Sequence, residues 1–107
     1  MRSVTVEIAG ESIDLPVNFK AGEALANAGV DPLKVALNAA SGTGMSSIDV
    51  ITVLVVGAKA AGSKLTRDQI GNAVYEDGVV AHLRVVNEYL SEFVNKKPEY
   101  PDESKKA

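Results

Sequence analysis

The sequence predicts an α+β fold in which an N-terminal β-hairpin packs on a small bundle of about five helices, so that most of the chain is helical. Apolar and polar residues first alternate in period two, and from residue 20 onward the apolar residues recur with helical spacing. Residues 96–107 then offer little to bury and contain two prolines, which is typical of a disordered charged tail. We therefore expect one domain over 1–95, with a hairpin over 3–19 and a helical part over 20–95.

Two stretches near the N-terminus have the alternation of half-buried strands. Their apolar positions are Val4, Val6 and Ile8, followed by Ile13, Leu15 and Val17. Residues 9–12 predict the turn between them, and Pro16 predicts an edge position because proline cannot donate a ladder hydrogen bond. A two-stranded hairpin is barely stable alone, so we expect its apolar face to lie on the helices or to pair with another chain.

Two short helices are predicted after the hairpin. Asn18 is placed to cap the first, and Gly29 to end it in a left-handed conformation. Asp31 and Pro32 predict the start of the second, because Asp accepts from free amides and Pro needs no N–H at the first helical position. Gly42 would end that helix. The predicted inner faces are Ala21, Ala24, Leu25 and Ala28 in the first helix, and Leu33, Ala36, Leu37 and Ala40 in the second.

The densest apolar run of the chain, residues 48–62, follows a Gly- and Ser-rich connection that we interpret as a hinge. As a buried strand it would lead into a phosphate-binding loop, whereas as a helix it would be the central helix of the bundle. Ser46 and Asp49 have the spacing of a capping box, and Gly62 stands where a helix would end. A helix over 47–61 accounts for every residue of the run, and we therefore predict a helix.

Two further helices complete the predicted bundle. Thr66 and Gln69 have capping-box spacing at the start of the first, and Gly78 would end it. Its predicted inner stripe is Ile70, Ala73 and Val74, and the apolar seam of the last helix is Val79, Leu83, Val86, Leu90 and Phe93. The seam advances in steps of four and three, which is the spacing of a contact with another helix. It is either part of the core or the partner-binding surface, and these five residues are our candidate partner-binding residues.

The sequence offers little for catalysis, and no catalytic residue, metal site or cofactor is expected. The chain has no cysteine, which excludes disulfides and thiolate zinc sites. His82 is the only histidine and is predicted to be a partly exposed helix residue, while Glu76 and Asp77 are adjacent and predicted to lie on a solvated face. The net charge of -3 argues against a nucleic-acid partner.

The expected location is the cytoplasm, with no membrane contact. The apolar run over 48–56 is far shorter than the roughly 20 residues of a membrane span. The N-terminal alternation is not that of a secretory signal. An unpaired hairpin edge can pair with a strand of another chain. A second copy of this chain is therefore a further candidate partner, which would give a homodimer.

Several segments stand in a specific order along the chain. A hairpin ending near 15–19 and a small Ala-rich helix are followed by the segments 31–42, 53–62 and 65–70. The second of these is a hydrophobic helix ending in a Gly-Ala-x-x-Ala-Gly pattern, and the third opens a helix with Thr and an acidic residue before a long final helix. Over about 4–95 this order resembles the tail assembly chaperone family of tailed phages and gene transfer agents.

The resemblance implies a small early protein that binds the tape measure protein, the tail tube subunit or both before the tail polymerises. It implies that long apolar helices of the partner are kept soluble in the bacterial host cytoplasm. It also implies that the chain is absent from the mature particle. The family has no catalytic residues to assign.

Two other functions are weighed against this one. A structural minor tail or connector protein would be present in purified virions. A small nucleotide-binding enzyme would need a Lys and a Ser or Thr directly after the second glycine of a phosphate-binding loop. Gly57 and Gly62 have the required separation, but Ser63 stands before Lys64 and breaks the register.

Overall fold

The structure is a computed structural model that describes residues 2–40 and 45–95. Its elements are β1 (Ser3–Ile8), β2 (Glu11–Pro16), α1 (Phe19–Asn27), α2 (Pro32–Ala40), α3 (Ser47–Ala60), α4 (Arg67–Asp77) and α5 (Val79–Val94). The predicted α+β class is confirmed, since a two-stranded hairpin precedes five helices in the described part of the chain. The predictions for the tail over 96–107, for Gly42 and for most of the hinge lie outside the described residues.

The hairpin forms as the alternation predicts. β1 and β2 are antiparallel, with Ser3 opposite Pro16 at the open end. Ala9 and Gly10 form a two-residue turn in which both φ values are positive, 51° and 80°. This is the condition of a type I′ turn, whose twist matches that of paired strands. The apolar face of the hairpin is buried against α3, α4 and α5, so the helices complete the sheet.

The helix α3 lies at the centre of the fold, where it contacts α1, α4, α5 and β2. The prediction of a helix in this run is confirmed. Ser46 and Asp49 form the predicted capping box, and Gly62 follows the helix end with a φ of 86°. The buried residues of α3 are Val50, Ile51, Val53, Leu54, Gly57 and Ala58.

The contact between α3, the hairpin and α5 is unusually close at Gly57. A Cβ atom placed there would lie 3.0 Å from Leu15 Cδ2 and 3.3 Å from Tyr89 Cε2. Leu15 and Tyr89 are both fully buried. The Tyr89 hydroxyl donates a hydrogen bond of 2.7 Å to the Pro16 carbonyl oxygen, and this bond ties α5 to the end of β2. Gly57 is therefore the point at which three elements meet.

The predicted inner face of α2 is wrong at two positions. Leu33 is 57% exposed and Leu37 is 62% exposed. The side of α2 that packs on α5 contains the partly buried Ala36, as predicted, but its other members are the buried Pro32 and the partly buried Val35. Both stripes have helical spacing, so the pattern alone cannot decide which one faces inward. The prediction for the Ala40 side chain lies outside the described residues.

The inner face of α1 is narrower than predicted. Ala21 and Leu25 are buried, but Ala24 and Ala28 are exposed. The predicted cap is confirmed, because Asn18 Oδ1 accepts a hydrogen bond of 2.8 Å from the Ala21 amide. The helix lies at the edge of the bundle, where α3 covers one side of it, and a single apolar stripe is enough.

The expected exposure of His82 is also wrong, because its side chain is only 7% exposed. The α4–α5 connection is only Gly78, so the first turn of α5 is folded back against the end of α4. This places His82 Nε2 at 2.9 Å from Asp77 Oδ2. Asp77 itself is half-exposed, as predicted for a solvated face, and it supplies the polar partner that a buried imidazole requires.

Candidate partner-binding grooves

The candidate seam of α5 lies mostly inside the chain. Val86 and Leu90 are buried, and Val79, Leu83 and Phe93 are partly buried where they pack on the core. Val86 and Leu90 can therefore reach a partner only if α5 separates from the core. Their partner-binding role stays a prediction, whereas Phe93 lies at an open surface.

That surface is a groove between α1, the start of α2 and the end of α5, which we call the acidic groove. Its volume is about 580 Å³. The apolar side chains that line it are Val17, Phe19, Ala26, Pro32, Leu33, Phe93 and Val94. Phe19 is 83% exposed and Leu33 is 57% exposed. Large apolar side chains left in water at adjoining positions are characteristic of a binding site.

Local structure explains how the two walls of the acidic groove are arranged. Phe19 is the first residue of α1, directly after the capping Asn18, and the buried stripe of the helix begins only at Ala21. On the opposite wall, the Phe93 ring lies 5.0 Å from the Tyr89 ring in an edge-to-face contact. A Cβ atom at Gly22 would be 3.3 Å from Phe93, so glycine allows α1 to lie directly on this ring.

The charges around this groove are mainly negative. Arg2, Glu23, Asp31 and Glu92 line it, which is one positive and three negative groups, or a net charge of about -2. Arg2 Nη2 lies 3.0 Å from Glu92 Oε1, so this pair is internally neutralised. Glu23 and Asp31 form no ion pair within the described part of the chain. An apolar segment with adjacent basic residues is complementary to such a groove.

A second groove lies between α1, α3 and the end of β2, and we call it the basic groove. Its volume is about 710 Å³. Its apolar lining consists of Pro16, Ala21, Ala24, Val55, Val56 and Ala60. Lys20 and Lys59 are the charged residues in this lining, and both are exposed. The two grooves thus share α1 as a wall but differ in the sign of their charge.

The described residues do not form the other kinds of site considered from the sequence. Gly57 is inside α3, so the segment after it is helical and is not a phosphate-binding loop. No cluster of three or more His, Asp or Glu residues within 2–40 and 45–95 is arranged to hold a metal ion. None of the helices in this part of the chain is long and apolar enough to span a membrane.

Comparisons with protein-family models, curated proteins and solved structures find no match to this chain. The two grooves are therefore the basis for assigning a function. The sequence predicts a partner-binding role for one residue of these grooves, Phe93, but it predicts that Leu33 faces inward and assigns no such role to Phe19 or to the residues of the basic groove. An aromatic residue next to a helix cap and outside the apolar stripe was the available signal.

Proposed function

We propose that this chain is a tail assembly chaperone of a tailed phage or gene transfer agent that binds the tape measure protein through the acidic groove. The observation that carries the proposal is the exposure of Phe19 and Leu33 beside Phe93 in one groove. The order of segments that resembles the chaperone family supports the choice of partner. On this proposal the chain acts in the host cytoplasm and leaves before the tail is complete.

The chemistry of the groove suits an apolar helix from the partner. An amphipathic helix binds such a groove by inserting side chains spaced three and four residues apart. Burying Phe19 and Leu33 would each contribute roughly 1.5–3 kcal/mol before the entropic cost of association is subtracted. Basic residues beside the apolar stripe would lie against Glu23 and Asp31. The same contact would keep the partner's apolar helix out of water until assembly.

The test is co-expression with the tape measure protein of the same tail, followed by affinity purification of this chain. We expect the two proteins to copurify and the tape measure protein to remain soluble. The double substitution Phe19→Asp with Leu33→Asp should abolish copurification while the fold still melts cooperatively. Val80→Asp is the matched control, because Val80 is 79% exposed but lies outside the groove.

Two results would contradict the proposal. One is stable incorporation of this chain into purified tails, which would favour a structural minor tail or connector protein. The other is unchanged copurification of the tape measure protein by the Phe19 and Leu33 double variant. The tail tube subunit is tested in the same way, since it is the second partner that the family resemblance implies.

A further inference from the structure

The walls and floor of the basic groove consist largely of small side chains. Ala21 forms part of the floor, and Ala24 and Ala60 stand exposed on the two helical walls. Val55 and Val56 are partly buried and supply the larger apolar surface. Small residues along two helices let the backbone of a third helix approach closely, so the dimensions suit a helix packed between α1 and α3.

The strand end beside this groove is unsuited to pairing with another strand. Pro16 has no N–H to donate. Its carbonyl oxygen already accepts the hydrogen bond from the Tyr89 hydroxyl. A β-strand from a partner would therefore find no donor at this position and a carbonyl oxygen that already accepts one hydrogen bond, whereas the apolar surface of the groove is open to a partner.

The charge of the groove is not compensated within the described chain. Lys20 and Lys59 form no ion pair with any residue in 2–40 or 45–95. Arg2, by contrast, is paired with Glu92 in the acidic groove. Among the residues that the structure describes, no acidic side chain lines the basic groove. Two unpaired ammonium groups beside an apolar surface select a partner that brings carboxylates.

We infer that the basic groove is a second docking surface, which binds an amphipathic helix of a partner protein whose apolar face is flanked by Glu or Asp. The apolar face lies on the valines and alanines, and the carboxylates lie beside Lys20 and Lys59. This surface is separate from the acidic groove, so it goes beyond the proposed contact with the tape measure protein. One chain can then hold an acidic helix and a basic helix on the two sides of α1.

The test uses two synthetic 18-residue helical peptides with the same Leu and Ala face, one flanked by Glu and the other by Gln. Fluorescence anisotropy measures their affinity for the full chain. We expect the Glu peptide to bind about tenfold more tightly than the Gln peptide at low salt, with the difference shrinking as salt screens the charges. The double variant Lys20→Glu with Lys59→Glu should abolish the preference.

The control variant combines Lys34→Glu with Arg84→Glu, which changes the net charge equally at exposed positions outside this groove. It should retain the affinity and the preference. Equal binding of the two peptides, an unchanged affinity in the Lys20 and Lys59 variant, or an equal loss in the control would overturn the inference. Sedimentation of the free chain tests whether a second copy of this chain fills the groove. A dimer that the Lys20 and Lys59 variant dissociates would show that a second copy occupies the groove, which also overturns it.

Discussion

The acidic and basic grooves are formed by different faces of the same nine-residue helix α1. Phe19 and Glu23 line the acidic groove, and Lys20 and Ala24 line the basic one. Because each residue of an α-helix is rotated by about 100° from the last, neighbours in sequence such as Phe19 and Lys20 point to different sides. One short helix with a single buried stripe can therefore present two surfaces of opposite charge.

The largest loss of stability is expected from a substitution at the buried side chain on which both grooves depend. Leu25 is fully buried and holds α1 on the core between them. Leu25→Ala should lower the free energy of unfolding by about 2–5 kcal/mol and weaken binding at both grooves. Urea unfolding followed by circular dichroism measures this loss. Leu33→Ala, at an exposed position, should cost less than about 0.5 kcal/mol, and a similar loss in both variants would show that Leu25 does not anchor α1.

The next prediction concerns α3, which forms a wall of the basic groove only. Gly57→Ala should destabilise the protein by about 1–2 kcal/mol, because the new methyl group lies close to Leu15 and Tyr89, and these fully buried side chains must shift to make room for it. Gly71→Ala is the matched control in α4, where the nearest atoms are 3.9 Å away on Ile51. It should stabilise the fold by about 0.5–1 kcal/mol through better helix propensity. Thermal unfolding should show a lower melting temperature for Gly57→Ala and a higher one for Gly71→Ala. Shifts in the same direction would refute the close contact at Gly57.

A third prediction uses Tyr89, which touches both grooves through Phe93 on one side and Pro16 on the other. Burial raises the pKa of Tyr89 from 10.0 to about 12. The neutral phenol is therefore favoured in the folded state. The stabilisation of the folded state that comes from this raised pKa is fully present below pH 10. It is lost as the pH rises from 10 toward 12, because the unfolded chain ionises first. We expect the free energy of unfolding to be about 1.4 kcal/mol lower at pH 11 than at pH 8 from this residue alone.

Tyr89→Phe provides the comparison for this pH dependence, because it removes the titrating group and leaves the other ionisable residues in place. The stability of the variant should fall less than that of the native chain between pH 8 and pH 11 in urea unfolding. Parallel curves for the two proteins would mean that Tyr89 ionises equally in the folded and unfolded states.

The smallest effects are expected from single charge substitutions that change the affinity of one groove and leave the other unchanged. Lys20→Glu should weaken binding of a Glu-flanked helix by about two- to fivefold, and Glu23→Lys should weaken binding of a Lys-flanked helix by a similar factor. Each change should leave binding at the other groove unaltered, since the two side chains lie on different faces of α1. Peptide titrations at low salt measure both affinities. If either substitution weakened peptide binding at both grooves, the two grooves would act as one surface.

The parts of the fold that depend on local chemistry could be predicted from the sequence. The Ala9–Gly10 region, the caps at Asn18, Ser46 and Thr66, and the stop at Gly62 each need only residues within a few positions of each other. The same is true of alternation in the hairpin. These signals give the number, type and approximate ends of the elements.

The parts that depend on tertiary contact could not be predicted. Two apolar stripes of α2 have equal helical spacing, and only packing on α5 selects the one with Val35. Tyr89 and His82 are buried because Pro16 and Asp77 supply polar partners that are distant along the chain or belong to the preceding helix. Apart from Phe93, the residues of the acidic groove could not be predicted for the same reason, because its walls come from widely separated segments.

Gly57 also has a consequence for how this chain can vary among its relatives. The space for a side chain at position 57 is taken by Leu15 from β2 and Tyr89 from α5. An alanine at 57 requires these buried side chains to shift, so we expect a relative with alanine there to gain stability from a smaller side chain at 15 or 89, and substitutions at these positions should occur together. Such a coupled triplet is a signature by which distant relatives can be recognised even where overall sequence identity is low.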